Sequence, residues 1–134
     1  MNISHLVYLV LDSQEENPYF RSPVGPNVAN ILDVGTGDAQ WAIDVADAFP
    51  GAQVKGIDLY PPQQDLLPQN LTLEVDDCFK SWIRDGKPYD LIHARFLVGS
   101  GTEADWKFFY QQAYENLAPG GWLELVEPSL RMFS

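Results

Sequence analysis

A mainly parallel, doubly wound α/β sheet is the fold this sequence predicts, and three observations predict it. Short apolar runs alternate with helical or proline-rich connecting segments along the chain. One stretch, ILDVGTGDAQWAIDVAD from Ile31 to Asp47, reads as strand, tight glycine turn and helix in unbroken succession. Successive strand ends carry Asp33, Asp58, Asp76-Asp77 and His93-Ala94-Arg95, so polar groups gather on the carboxyl edge where open α/β sheets bind ligands.

The 134 residues, 46% hydrophobic with four tryptophans, suffice for one core, and no repeat or low-complexity tract marks a second domain. A net charge of -11, from 19 acidic against eight basic residues, excludes a phosphate-backbone surface and disfavours an anionic membrane; its field favours a cationic ligand. Nucleic acid is not an expected partner. Cys78 is the only cysteine, so neither an intrachain disulfide nor a cysteine-rich metal site is available, and no metal is expected. The opening MNISHLVYLVLDSQEENPYF lacks a basic start and a cleavage site, and no apolar run reaches the roughly 20 residues of a membrane span. A soluble protein of the cytoplasm or nucleus is expected.

Taken in order, Ile3, Leu6, Val7, Val10 and Leu11 fall at helical spacing and predict an N-terminal amphipathic helix, with His5 beside its apolar face as a structural residue. Residues 17–27, rich in proline and glycine, predict an extended connector into the first strand at Ile31. After the glycine turn, Ala42, Val45, Ala46 and Phe49 share one face of a helix that Pro50-Gly51 ends. Gln53 to Asp58 is the second strand. Tyr60 to Pro68 holds three prolines and leaves room for little more than one helical turn. Leu71, Leu73 and Val75 alternate with polar residues as the third strand. Phe79 to Lys87 predicts a loop or short helix carrying Trp82, before the fourth strand from Tyr89 to His93. Thr102 and Asp105 mark a capping-box start for a helix whose Trp106, Phe109, Tyr110, Ala113 and Leu117 face the core. Pro119-Gly120-Gly121 ends it, and Trp122 to Glu127 is the fifth strand.

The glycine turn and its acid point to a nucleotide-type ligand. Gly35 and Gly37 permit positive φ and close backbone approach, and the helix after them adds amide donors and a positive dipole. Gly37 and Asp58 stand 21 residues apart, the separation at which nucleotide-binding βαβ units place a carboxylate for ribose hydroxyls. Asp58 is therefore the strongest single ligand contact. A dinucleotide fingerprint requires a small residue at position 40, where Gln40 stands, and its phosphates sit poorly among carboxylates. Asp33-Val34-Gly35-Thr36-Gly37-Asp38-Ala39 instead follows D-x-G-x-G-x-G up to its last place, a pattern of S-adenosylmethionine sites, and that ligand's amino and sulfonium cations suit an acidic pocket.

The segments ILDVGTG, WAIDVAD, FPGAQVKGIDL, VDDC, YDLIHARFLVGS and APGGWLELVE run in order from Ile31 to Glu127. Together they resemble the fungal LaeA-like S-adenosylmethionine-dependent methyltransferase-domain proteins, and YFRSPV resembles the linker before the first strand of that family. The resemblance implies a Rossmann-like SAM methyltransferase fold, truncated after the fifth strand. It implies a single domain over residues 1–134, with 1–26 as N-terminal helix and linker and 27–128 as the core. It implies S-adenosyl-L-methionine as cofactor, with Asp33, Gly35 and Gly37 at the methionine part, Asp58 on the ribose and Asp76 or Asp77 near the adenine. His93, Ala94 and Arg95 would border the methyl-transfer position, with His93 as candidate general base. Family members usually continue GTGTGIWA where this chain has GTGDAQWA, so Ala39 stands in place of a third glycine and is strained wherever φ is positive. The family's sixth and seventh strands are missing, which predicts an open apolar edge on WLELV and hence a homodimer or a partner chain pairing with it. The implied function is methyl transfer to a small molecule in fungal secondary metabolism. A cyclase or isomerase acting on a polyketide or terpenoid intermediate, and a non-catalytic regulatory or scaffolding subunit, are the alternatives.

Overall fold

Burial on both faces explains why the first strand of the glycine unit shows no alternation: Ile31, Leu32, Asp33 and Val34 are all buried. The computed structural model describes residues 7–10, 19–63, 66–82, 87–95 and 101–126. Their elements in chain order are β1 (Val7–Val10), β2 (Asn30–Val34), α1 (Gln40–Ala48), β3 (Gln53–Asp58), β4 (Leu71–Val75), β5 (Tyr89–Arg95), α2 (Glu103–Asn116) and β6 (Leu117–Val126). All strand pairs are parallel, in the order β1-β6-β5-β2-β3-β4. This is the Rossmann-like α/β arrangement, with β2 near the middle and its carboxyl end between those of β5 and β3.

The alternate residues of β2 enter different cores. Ile31 packs with Val54, Leu71, Leu91 and the inner face of α1 (Ala42, Val45, Ala46), sealed by Phe20 and Val28 from the linker. Leu32 and Val34 pack with Ile57, Ile92, Leu123, Leu125 and α2 residues Phe109 and Ala113 on the other face. α2 opens with the expected capping box: Asp105 N donates to Thr102 Oγ1 while Thr102 N donates to Asp105 Oδ2. No helix of the described residues is long and apolar enough to cross a membrane.

Four expectations are corrected. Where the N-terminal segment is described it is a strand, not a helix: Val7–Val10 runs parallel to β6 in the register Val7↔Leu123 to Val10↔Val126. Four consecutive apolar residues suit a parallel strand as well as a helix, and long-range pairing decides between them. The rest of the expected helix, with His5, lies outside the described residues. The edge of β6 is accordingly not open, because β6 lies between β5 and β1 and the sheet's outer strands are β1 and β4. The division at residue 26 also gives way, since β1 joins the sheet and Phe20 is part of the core. β6 itself starts at Leu117, directly after α2. The Pro119-Gly120-Gly121 break becomes an irregularity within the strand, between the pairs Tyr89↔Leu117 and Leu91↔Trp122. Glu127 lies outside the described residues.

Gly56 on β3 stands where no side chain fits. A Cβ there would lie 2.8 Å from Thr36 Oγ1, 3.0 Å from Thr36 Cβ and 2.9 Å from Leu73 Cδ2. We expect Gly56→Ala to lower stability by roughly 1–3 kcal/mol in urea denaturation, as overpacking does. Gly51→Ala, whose Cβ would meet nothing within 4 Å, is the control and should stay within about 0.5 kcal/mol of wild type.

Candidate functional site

The turn after β2 is built from left-handed residues. Gly35 has φ 69°, Gly37 φ 59° and Ala39 φ 66°. Thr36 N donates to Ile57 O at 2.9 Å and Ala39 N to Thr36 O at 2.8 Å, which anchors the turn against β3. Ala39 is the N-cap of α1, with ψ 11°, a buried Cβ and no side chain able to cap. The sequence-based expectation of strain at this alanine is therefore met. Asp38 supplies the missing cap, its Oδ1 accepting from Gln40 N at 3.0 Å beside the positive end of the helix.

Asp33 does not face the space above the turn. It is 2% exposed, and both its oxygens are taken: Thr36 Oγ1 donates to Oδ2 at 2.8 Å, and His93 Nδ1 lies 3.0 Å from Oδ1. A carboxylate only accepts, so Nδ1 carries the proton of that bond. His93, in register with Asp33 across β5 and β2, is 1% exposed. Its ring lies flat against Trp41 of α1, with centroids 3.6 Å apart and planes 3° from parallel. Trp41 Nε1 in turn donates to Tyr19 O at 2.8 Å. This corrects the expectation for His93: a general base must reach the proton it removes, whereas this imidazole is covered by an indole and bonded to a buried acid. It supports the turn instead.

Asp58, at the carboxyl end of β3, is half-buried and joins the glycine turn directly. Its Oδ2 accepts from Gly37 N at 2.9 Å and its Oδ1 from Tyr60 N at 3.0 Å. A Cβ on Gly37 would meet nothing within 4 Å, so the backbone there is open to a ligand. Asp76 N donates to Asp58 O at 3.1 Å, which draws the end of β4 beside that of β3. Asp76 Oδ1 accepts from Asp77 N and Asp77 Oδ1 from Phe79 N, so both acids are half-buried and structured. Ala94 points into the core on the α2 side. Arg95 ends β5, and its side chain lies outside the described residues.

Exposed apolar residues stand beside these acids. Leu59 and Tyr60, directly after Asp58, are exposed, and so is Val75, the register partner of Asp58 on β4. The acids also act on Cys78. Burial pushes its thiol up to about 12, and the charges of Asp77, Asp76 and Asp58 add to the rise against a backbone hydrogen bond that lowers it.

The sequence pattern brought Asp33, Gly35, Gly37, Asp58, Asp76, Asp77 and His93 to one edge correctly. It missed Thr36, Trp41 and Glu124. Glu124 had a visible signal, a lone charge inside the apolar run WLELV, and it lies in register beside His93. Trp41 had none, because an indole in the first turn of an amphipathic helix reads as core.

A parallel sheet with an acid-glycine-glycine turn on a central strand, tied to a second acid on the next strand, defines a Rossmann-like α/β protein. The chain belongs to the family described as the methyltransferase domain, whose profile matches residues 13–133. It is similar to methyltransferase pytC of Aspergillus terreus, with 41% identity over 133 residues covering 98% of this chain and 39% of that protein. It is also similar to the secondary metabolism regulator laeA of Aspergillus fumigatus, at 41% identity over 103 residues, covering 76% of this chain and 27% of that one. The chain thus spans less than half the length of the curated relatives it matches. Among solved structures it resembles PKMT2 from Rickettsia typhi in complex with AdoHcy, with a TM-score of 0.61 and 21% identity over 72% of this chain and 20% of that one. Coclaurine N-methyltransferase bound to N-methylheliamine and SAH gives a TM-score of 0.64 at 17% identity, covering 74% and 30%.

Two outcomes are expected from the site's geometry. Ala39→Gly should raise stability by about 0.5–1 kcal/mol in urea denaturation, because the left-handed strain it removes outweighs the added chain entropy. Cys78 should resist iodoacetamide at pH 8 in the folded state and react on unfolding, since its thiolate forms only as pH approaches 12. The sign follows from the raised value: the proton is held more tightly in the folded chain, so stability falls as pH climbs from the ordinary thiol value towards 12.

Proposed function

We propose that the protein binds S-adenosyl-L-methionine across the carboxyl ends of β2, β3 and β4 and transfers its methyl group to a small molecule in fungal secondary metabolism. The observation that carries this reading is the 2.9 Å hydrogen bond from Gly37 N to Asp58 Oδ2. It turns the open glycine backbone and the strand-end acid towards one space. Each Asp58 oxygen accepts one backbone amide and keeps a lone pair for a hydroxyl. Asp58, Asp76 and Asp77 favour a cation, while Leu59, Tyr60 and Val75 offer apolar surface to a flat ring.

When bound, the cofactor supplies an electrophilic methyl carbon on a sulfonium. The chain's own work is placement. Asp58 orients hydroxyls, the Gly35–Gly37 backbone admits the ligand closely, and the Asp33–His93–Trp41 array keeps the turn in one geometry. With His93 buried, the acceptor has to be nucleophilic without its help. The name of pytC supports the reading, as does the AdoHcy or SAH in the titles of the two similar structures. A second reading, a cofactor-binding regulatory subunit without turnover, is favoured by the likeness to laeA and by the covered imidazole. Pairing with another copy or a partner chain would use the outer edge of β1 or β4, because β6 is paired on both sides.

Titration calorimetry with S-adenosylmethionine and S-adenosylhomocysteine tests the site. Wild type should bind both, and Asp58→Ala should bind roughly 10–100-fold more weakly, the loss of two hydrogen bonds to a charged group. No heat with wild type would overturn the proposal. Binding without methyl transfer to any acceptor would favour the regulatory reading.

A further inference from the structure

Glu124 is a charged residue in an apolar strand, 1% exposed. It stands in register beside His93, as His93 stands beside Asp33, so the three side chains form a row on the α1 face of the sheet. Its Oε1 accepts two consecutive linker amides, Arg21 N at 2.9 Å and Ser22 N at 2.6 Å. Among the described residues its Oε2 is buried without a hydrogen-bond partner, and so is Ser22 Oγ. A buried carboxylate with an unused oxygen costs stability that an apolar side chain of similar volume would not. Its two amide bonds offset that cost in part, and losing them leaves two linker N–H groups without their acceptor.

What it holds is the linker, and the linker leads to the site. Two residues before Arg21, Tyr19 O accepts from Trp41 Nε1. Trp41 covers His93, His93 bonds Asp33, and Asp33 bonds Thr36 within the glycine turn. Two amides on one oxygen fix the direction of the linker as well as its position.

We propose that Glu124 is a positioning residue for the cofactor site: it fastens the linker at Arg21–Ser22 and, through Tyr19 and Trp41, holds His93, Asp33 and the glycine turn in place. The cofactor half of this inference rests on the function proposed above. Three full-chain variants test it. Glu124→Gln keeps an oxygen for both amides, and Glu124→Leu removes the acceptor at similar volume. Ser22→Pro deletes the shorter donor from the linker and leaves β6 intact, so the question stays decidable if the leucine variant does not fold. The readouts are hydrogen exchange of the Trp41 indole N–H by NMR without ligand, and the Kd for S-adenosylhomocysteine by calorimetry. Glu124→Leu and Ser22→Pro should exchange about tenfold faster and bind about tenfold more weakly, whereas Glu124→Gln should restore both to within roughly threefold of wild type. Unchanged indole exchange in Ser22→Pro, or faster exchange with an unchanged Kd, would overturn the proposal. A wild type that binds no S-adenosylhomocysteine overturns the proposed function and the cofactor role of Glu124 together. The exchange rates still decide whether Glu124 fastens the linker.

Discussion

The Asp33 carboxylate is the group on which the rest of the site depends. It sits at the end of the strand between β5 and β3, buried, and divides its two oxygens between Thr36 of the turn and His93 of the neighbouring strand. In so dry a place each bond is strong, and removing one partner leaves a charge without compensation. The position of Thr36 follows from that bond, and Thr36 can reach it only because Gly56 leaves room beneath. With Thr36 set, the Gly37 amide meets Asp58. The geometry of the exposed Gly37–Asp58 pair is thus set by a buried group that does not reach the surface.

The division of labour between the two acids follows from depth. Asp33 is enclosed by the sheet and by α1, and its charge is spent on internal donors. Asp58 lies one strand over and nearer to solvent, among Asp76 and Asp77, where backbone amides take only part of its accepting capacity. The same cluster of negative charge that suits a cation outside raises the thiol of Cys78 within. Apolar residues left exposed beside the acids set apolar surface next to charge on the same edge of the sheet.

Much of this was legible in the sequence, and the parts that were not share a cause. β3 and β4 are found where the pattern put them, because Pro50-Gly51 and the prolines up to Pro68 punctuate them and polar residues close their ends. Asp58 could be singled out from its distance along the chain to Gly37. The burial of His93 could not, since it depends on an indole from a different element. The partners of Glu124 are two amides more than a hundred residues away, which no local pattern records. Val7–Val10 shows the limit most plainly: four apolar residues are compatible with helix or strand, and the choice is made by β6, at the far end of the described chain.

That last pairing has a consequence for synthesis. A nascent chain leaves the ribosome N-terminus first, so the segment VYLV emerges long before Leu123 to Val126 exist to receive it. Closing this edge of the sheet requires the most sequence-distant pairing among the described strands and so carries a loop-closure cost late in assembly. Until β6 has been made, this β-prone apolar segment lacks its strand partner and is open to chaperone capture or to mispairing with another nascent copy.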